Sequence, residues 1–184
     1  MKYIFLFSII TVSFLSSCKE DHDHNEGELI TTLMYTLSNP GNETVVFSFS
    51  DKDGDGGIAP IVTTSGVLKS GLTYSGTLSV RNDSTNSVVD ITEEIAEEDE
   101  DHQFFFIPNS ALAGKLTIQY DDKDGKNNPI GLKTKAIVSG SGNGKLKIIL
   151  RHLPNKGGVG VGFGDIINAG GETDIEVEFD VTIQ

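Results

Sequence analysis

Apolar and polar positions alternate with a period of two along much of the chain. The last stretch shows this most clearly: Ile175, Val177, Phe179, Val181 and Ile183 interleave with Asp174, Glu176, Glu178, Asp180 and Thr182. Successive side chains of a strand point to opposite faces, so this pattern predicts an antiparallel strand with one buried and one wet face. Residues 44–50 repeat it, with Val45, Phe47 and Phe49 on one side. Further strand-like runs lie at 30–37, 72–80, 104–107, 116–120, 132–138 and 145–150, each bounded by clusters of Gly, Asn, Asp, Ser or Pro. The cluster Ser139-Gly140-Ser141-Gly142-Asn143-Gly144 reads as a hairpin turn.

One segment breaks the pattern. Asp90-Ile91-Thr92-Glu93 has the form of a capping box, Ile91 and Ile95 lie one helical turn apart, and acids load the first turn. About two turns of helix are expected at 91–98, crossing between sheets and ending in the acidic run from Glu97 to Asp101. About eight short strands with polar turns point to an all-β fold, an antiparallel β-sandwich of immunoglobulin-like general shape. Neither an internal repeat nor a shift in composition divides residues 29–184, which are expected to form a single domain.

The N-terminus has a different character. Lys2 precedes an apolar run from Tyr3 to Leu15, well short of the ~20 residues needed to span a bilayer. Leu15-Ser16-Ser17-Cys18 closes it, and Cys18 is the only cysteine of the chain. This arrangement resembles the signal of bacterial lipoproteins, in which such a cysteine is acylated and becomes the mature N-terminus. The resemblance implies a signal peptide at 1–17, palmitate-type acylation at Cys18 and attachment to a membrane through lipid. A lone thiol forms no internal disulfide, and acylation by two or more chains accounts for it. Residues 18–28 have high charge and no apolar residue beyond the cysteine, so a disordered tether is expected. Lys19-Glu20-Asp21 resembles the export signal of surface lipoproteins in Bacteroidetes, which implies an outer-membrane, cell-surface location.

Charge narrows the functional classes. The net charge of −13 becomes one unit more negative once Lys2 leaves with the signal, and no basic patch offsets it, so nucleic acid is excluded as a partner. Such a surface attracts cations. The chain has no Trp and only 8% aromatic residues, which weakens the case for a stacked-aromatic glycan platform.

Three segments have the chemistry to hold a cation. In Asp51-Lys52-Asp53-Gly54-Asp55-Gly56-Gly57-Ile58, carboxylates at alternate positions, a Gly at the sixth and a carbonyl at Gly57 open a calcium loop. The twelfth position is Val62 instead of a bidentate Glu and the flanks read as strands, so this is not an EF-hand. The same residues also make a plain Asp/Gly turn. Asp121-Asp122-Lys123-Asp124-Gly125-Lys126 is a poorer copy, in which Lys126 opposes metal binding. In the tether, Asp21, His22, Asp23 and His24 can chelate zinc or copper loosely; a charged spacer is the alternative reading. His102 and His152 read as surface histidines at strand edges, the first close to an acidic run. The Gly-rich segment 156–165 lacks dinucleotide spacing and has no following helix, so it reads as a mobile contact loop. No nucleophile elbow, His-Glu-x-x-His or available cysteine is present, and no enzymatic activity is expected.

Asp51-Lys-Asp-Gly-Asp-Gly-Gly57, Asp90-Ile-Thr-Glu-Glu-Ile95, His102-Gln-Phe-Phe-Phe106, His152-Leu-Pro-Asn-Lys156 and Ala169-Gly-Gly-Glu-Thr-Asp-Ile-Glu176 together resemble a group of small flavobacterial lipoproteins. Members often carry a His/Asp tract after the cysteine and accompany TonB-dependent receptors. Some bear the label "type 1 periplasmic binding fold", a two-lobed α/β architecture unlike the β-rich pattern here. The resemblance implies a surface-anchored protein that binds a cation or small ligand as accessory to a TonB-dependent importer. The alternative is a structural or adhesive surface domain stabilised by calcium at the Asp51 turn. The sequence leaves oligomeric state open.

Overall fold

The computed structural model describes residues 29–54 and 56–184. The order of elements is β1 (Thr32–Ser38), β2 (Val45–Ser50), β3 (Ile61–Ser65), β4 (Thr73–Asn82), β5 (Val89–Asp90), α1 (Ile91–Glu97), β6 (His102–Pro108), β7 (Leu116–Tyr120), β8 (Lys133–Val138), β9 (Gly142–His152) and β10 (Glu172–Ile183). Every strand pairing is antiparallel. The larger sheet runs β3-β2-β1-β4-β8-β7, with β5 also on β4; the smaller runs β10-β9-β6. The result is an open, all-β sandwich with one short helix.

Alternation sets which faces meet. In β10, Ile175, Val177, Phe179, Val181 and Ile183 are buried while Glu176, Glu178 and Asp180 stay wet. Across from those acids β9 presents lysines: Lys145 pairs with Glu178 at 3.2 Å and Asp180 at 3.3 Å, and Lys147 with Glu176. Being exposed, these pairs favour register more than stability. The facing sheets join through rings, with Tyr35 of β1 5.0 Å from Phe106 of β6, and Phe47 of β2 5.7 Å from Phe179 of β10.

Tyr35 is fully buried, and its hydroxyl and that of Thr134 share a hydrogen bond of 2.7 Å. That bond runs past Gly76, where an added Cβ would stand 2.2 Å from the Thr134 Oγ1. Only glycine leaves the buried hydroxyl its partner, which is why a strand interior tolerates this residue here.

The helix forms where expected. Asp90 caps it by accepting from the Thr92 N–H at 2.9 Å, and Ile91 and Ile95 are buried. The Thr92 hydroxyl donates to the Val80 carbonyl and accepts from the Val80 N–H, each at 3.0 Å, which fastens α1 to β4 as the chain passes from one sheet to the other.

Two expectations need correction. Two strands are additional to the eight: β3, whose residues are nearly all exposed and so lack alternation, and the two-residue β5. Residues 139–144 are not a hairpin turn. β8 pairs with β4 and β7, and β9 with β10 and β6, so this segment carries the chain between sheets, and Gly142 already belongs to β9. The run Phe104-Phe105-Phe106 is buried throughout because the smaller sheet is covered on both faces. Phe105 and Ile149 pack outward against Val161 and Ala169, in the connection between β9 and β10.

Candidate functional site

Cys18, Asp21, His22, Asp23, His24 and Asp55 lie outside the described residues. The Asp51 turn joins β2 to β3, which places its flanks on strands as the sequence predicts. The Asp51 N–H donates to the Thr31 carbonyl at 2.8 Å. The Asp53 carboxylate accepts from the Ile58 N–H at 3.1 Å, and the Asp53 carbonyl from the Gly56 N–H at 3.1 Å. One of the expected carboxylates therefore helps hold the turn itself, and Gly57 beside it is exposed. Among the described residues, no three His, Cys, Asp or Glu side chains stand together as a metal site.

What the fold adds beside Asp51 is the start of β10. Asp51, Gly54, Glu172, Asp174 and Glu176 line one open cavity of about 410 Å³. Asp174 sits where the register of β10 against β9 slips between Thr173 and Ile175. A bulge turns its residue out of the regular alternation, and the Asp174 side chain is half-buried instead of wet. Its Oδ2 accepts no hydrogen bond among the described residues. Burial pushes its carboxyl above the ordinary 3.8, opposed by His152 nearby and aided by Glu172.

His152 connects this corner to a second feature. His102 and His152 are directly paired across β6 and β9, and their rings stack at 4.8 Å with planes 7° apart. His102 is only 2% exposed, which corrects the expectation of a surface histidine. Its Nδ1 lies 3.3 Å from the Glu98 carbonyl. Burial holds the His102 pKa below 6.5; the Glu98 carbonyl counters this and the neighbouring His152 adds to it. Parallel stacked rings aim their lone pairs alongside each other, not at one point, so the pair packs and does not chelate.

The loop at 121–128 is closed by a lysine. Asp124 Oδ1 accepts from the N–H groups of Lys126 at 2.9 Å and Asn128 at 2.8 Å, and its Oδ2 receives the Lys156 ammonium at 3.1 Å. Lys156 also donates to the Asp99 carbonyl, which ties three surface loops together. Lys126, expected to oppose metal, instead pairs with Glu100 at 2.6 Å. Asp122 spends both oxygens on the N–H groups of Gly131 and Lys133, at 2.8 and 2.7 Å.

The Gly-rich segment is a built loop. Its N–H groups at Val161, Phe163, Gly164 and Asp165 donate to carbonyls within 158–161, and Asn155 and Ala169 close it at 2.6 Å. Gly160 and Gly164 adopt φ of +85° and +90°, flanking a short 3₁₀ turn that only glycines admit at both ends. Val161 points down into Phe105 and Ile149, so the turn is anchored from below. Phe163 points the other way and is 95% exposed, with Val159 and Ile167 each at 83%. Order from these bonds, with apolar tips presented to solvent, replaces the mobile loop expected from composition.

Beside Phe163 lies a shallow groove of about 570 Å³, lined along one side by Thr117, Ile118, Gln119 and Tyr120. Tyr120 forms its floor. Its hydroxyl donates to the Phe104 carbonyl at 2.7 Å, and burial raises its pKa to about 12. Gln103, fully buried beneath, donates its amide to the Val161 carbonyl at 3.0 Å and to the Tyr120 hydroxyl at 3.2 Å, linking groove floor to loop. Sequence reasoning passed over Asp174, Lys156 and Phe163. No local signal marks the first two, whereas Val159, Val161 and Phe163 alternate with glycines, which makes an apolar set visible in a loop.

No helix among the described residues is long and apolar enough to cross a membrane. Comparisons with family models, with curated proteins and with solved structures return no match.

Proposed function

We propose that this chain is a lipid-tethered, non-enzymatic docking domain of the outer membrane, accessory to a TonB-dependent importer. The reading rests on one observation above all: Val159, Phe163 and Ile167 are presented to solvent by a loop whose own hydrogen bonds and buried Val161 hold it in place. Exposed apolar groups on an ordered support are a feature of contact surfaces, and an aromatic set there is the usual energetic centre. The lipobox at Cys18 and the charged stretch at 18–28 support a tethered position, with the sandwich held off the bilayer.

A photo-crosslinking residue at position 163 in the native lipidated chain tests this. An adduct with an outer-membrane importer is expected, lost when Cys18→Ser releases the chain from the membrane. An adduct formed equally from exposed Ile58, or none from 163, would overturn it.

A second reading, calcium binding at the Asp51 turn, draws on the open cavity that Asp51 lines together with Glu172, Asp174 and Glu176, whose carboxylates would have to move together around an ion. The missing ligands of the incomplete loop would come from β10. Calcium raising the melting temperature of the wild type, and not of Asp174→Asn, would establish it; zinc or copper taken up instead would point to His22 and His24 of the tether.

A further inference from the structure

β7 closes the larger sheet and pairs with β8 on one side only. The Asp121 N–H donates to the Lys133 carbonyl at 2.9 Å, and the Ser139 N–H to the Lys115 carbonyl at 2.7 Å. Main-chain groups of an antiparallel strand alternate in direction, so residues 115, 117, 119 and 121 face β8 and Leu116, Ile118 and Tyr120 face away. No main-chain hydrogen bond joins these last three to another described residue on that outer side. Their N–H and C=O groups border the groove lined by 117–120 and walled by Asn128 and Phe163.

The other edges are defended. β3 leans on β10, where the Thr64 hydroxyl donates to the Asp180 carbonyl at 2.8 Å. β10 carries an acid at every second position from Glu172 to Asp180, and the β6 edge gives its Phe104 N–H to the Ile130 carbonyl at 2.7 Å. β7 is Leu-Thr-Ile-Gln-Tyr, without charge, proline or bulge. Natural sheets guard their edges against pairing by such devices, and a bare edge beside a groove is a template for an added strand.

We propose that the free edge of β7 binds an extended, basic segment of a partner protein as an additional strand, with Phe163 packed over it. This rests on the reading of the chain as a docking domain and names its mode of recognition. Charge selects the occupant. A second copy would bring another net −13 against this one, whereas a basic segment is drawn to an acidic chain; within the groove itself Asp122 and Lys123 offset each other. The arrangement also gives the 95% exposed Phe163 a partner side chain to cover.

The test adds a blocked peptide with the sequence of Lys133–Val138, a basic strand that already pairs with the inner edge of β7, to the full-length lipidated protein in detergent. Amide exchange is read residue by residue. Exchange at Leu116, Ile118 and Tyr120 is expected to slow at least about tenfold, with Thr117 and Gln119 unchanged because they already bond to β8. Phe163→Ala, at a fully solvated site, should weaken binding by about tenfold, and Ile118→Pro, which deletes one outward N–H, should abolish it. No protection at about 1 mM peptide, or equal protection by a peptide N-methylated at alternate residues, would overturn the proposal. Protection that grows with protein concentration alone would overturn it in favour of a second copy. A crosslink from position 163 that survives Ile118→Pro would leave the docking function standing and remove strand addition; peptide protection without any such crosslink would do the reverse.

Discussion

Replacing Lys156 by methionine removes the single cation that closes three loops. The side chains of Lys156 and Asp124 are 5% and 1% exposed, 3.1 Å apart. Without the ammonium, Asp124 keeps the N–H groups of Lys126 and Asn128 on Oδ1, while Oδ2 retains only the long 3.3 Å contact from the Asn128 amide. Removing one partner of a buried pair typically costs 3–5 kcal/mol. The hydrogen bonds that remain on Asp124 place Lys156→Met near the lower end, about 3 kcal/mol. At roughly 2–4 °C per kcal/mol for a domain of this size, melting should fall by about 6–12 °C. Asp124→Asn strands the ammonium with the Asp99 carbonyl alone and should cost a similar amount, while the double variant should lose at least ~1 kcal/mol less than the sum.

The same pair carries a pH signature. Burial pushes the Asp124 carboxyl upward, but the Asn128 N–H and the Lys156 ammonium outweigh it and hold the group below 3.8. A depressed acid stabilises the fold above its unfolded pKa and loses that contribution as pH falls through the lower folded value. Wild-type melting should therefore drop across the region below pH 3.8, and that of Lys156→Met should be flatter there. Thermal and urea unfolding of the four proteins at pH 7 and over the acid range is the assay. A Lys156→Met protein melting within about 1 °C of wild type at neutral pH would refute the assignment.

Gly76→Ala should destabilise by about 2 kcal/mol or more, because its Cβ cannot coexist with the Tyr35–Thr134 bond, and should cost less on a Thr134→Ala background, where the atom in the way is gone, as read by calorimetry. His102 is held below 6.5, so the unfolded chain takes a proton that the folded one refuses; stability should fall as pH drops from about 6.5 to the lower folded value, and His102→Phe should remove that slope in urea titrations. Asp174→Asn should stabilise the chain at pH 7, since burial, with Glu172 adding to it, raises the carboxyl and no hydrogen bond is lost at Oδ2; destabilisation would show an overlooked partner. Phe163→Ala should leave melting within about 0.5 kcal/mol of wild type while reducing partner capture.

Much of the architecture was legible because half-buried antiparallel strands write their burial into alternate residues. β10 and β2 lie where alternation puts them, and α1 begins at the capping Asp90. β3 shows in the sequence only as a strand-like flank of the Asp51 turn because both its faces are wet, and 139–144 was misread because Gly/Ser/Asn turns look alike whether the chain returns to its own sheet or crosses to the other. The loop at 156–165 was misjudged for a related reason. Glycine permits motion, but here Gly160 and Gly164 serve a specific left-handed geometry, and composition does not distinguish freedom from such use.

The sequence by itself determined the fold class, most strand positions, the helix with its cap, and the acidic character of the chain. These follow from short-range rules: side-chain periodicity, local hydrogen bonding and the count of charges. Only the tertiary structure decided that Lys156 reaches Asp124 across 32 positions, that His102 stacks on His152, that Asp174 turns at a bulge toward the Asp51 cavity, and that β7 is left with a bare edge beside Phe163. Each depends on strand order and register. Those are settled by the joint packing of two sheets around one core, and residues distant in sequence carry no local mark of whom they will meet.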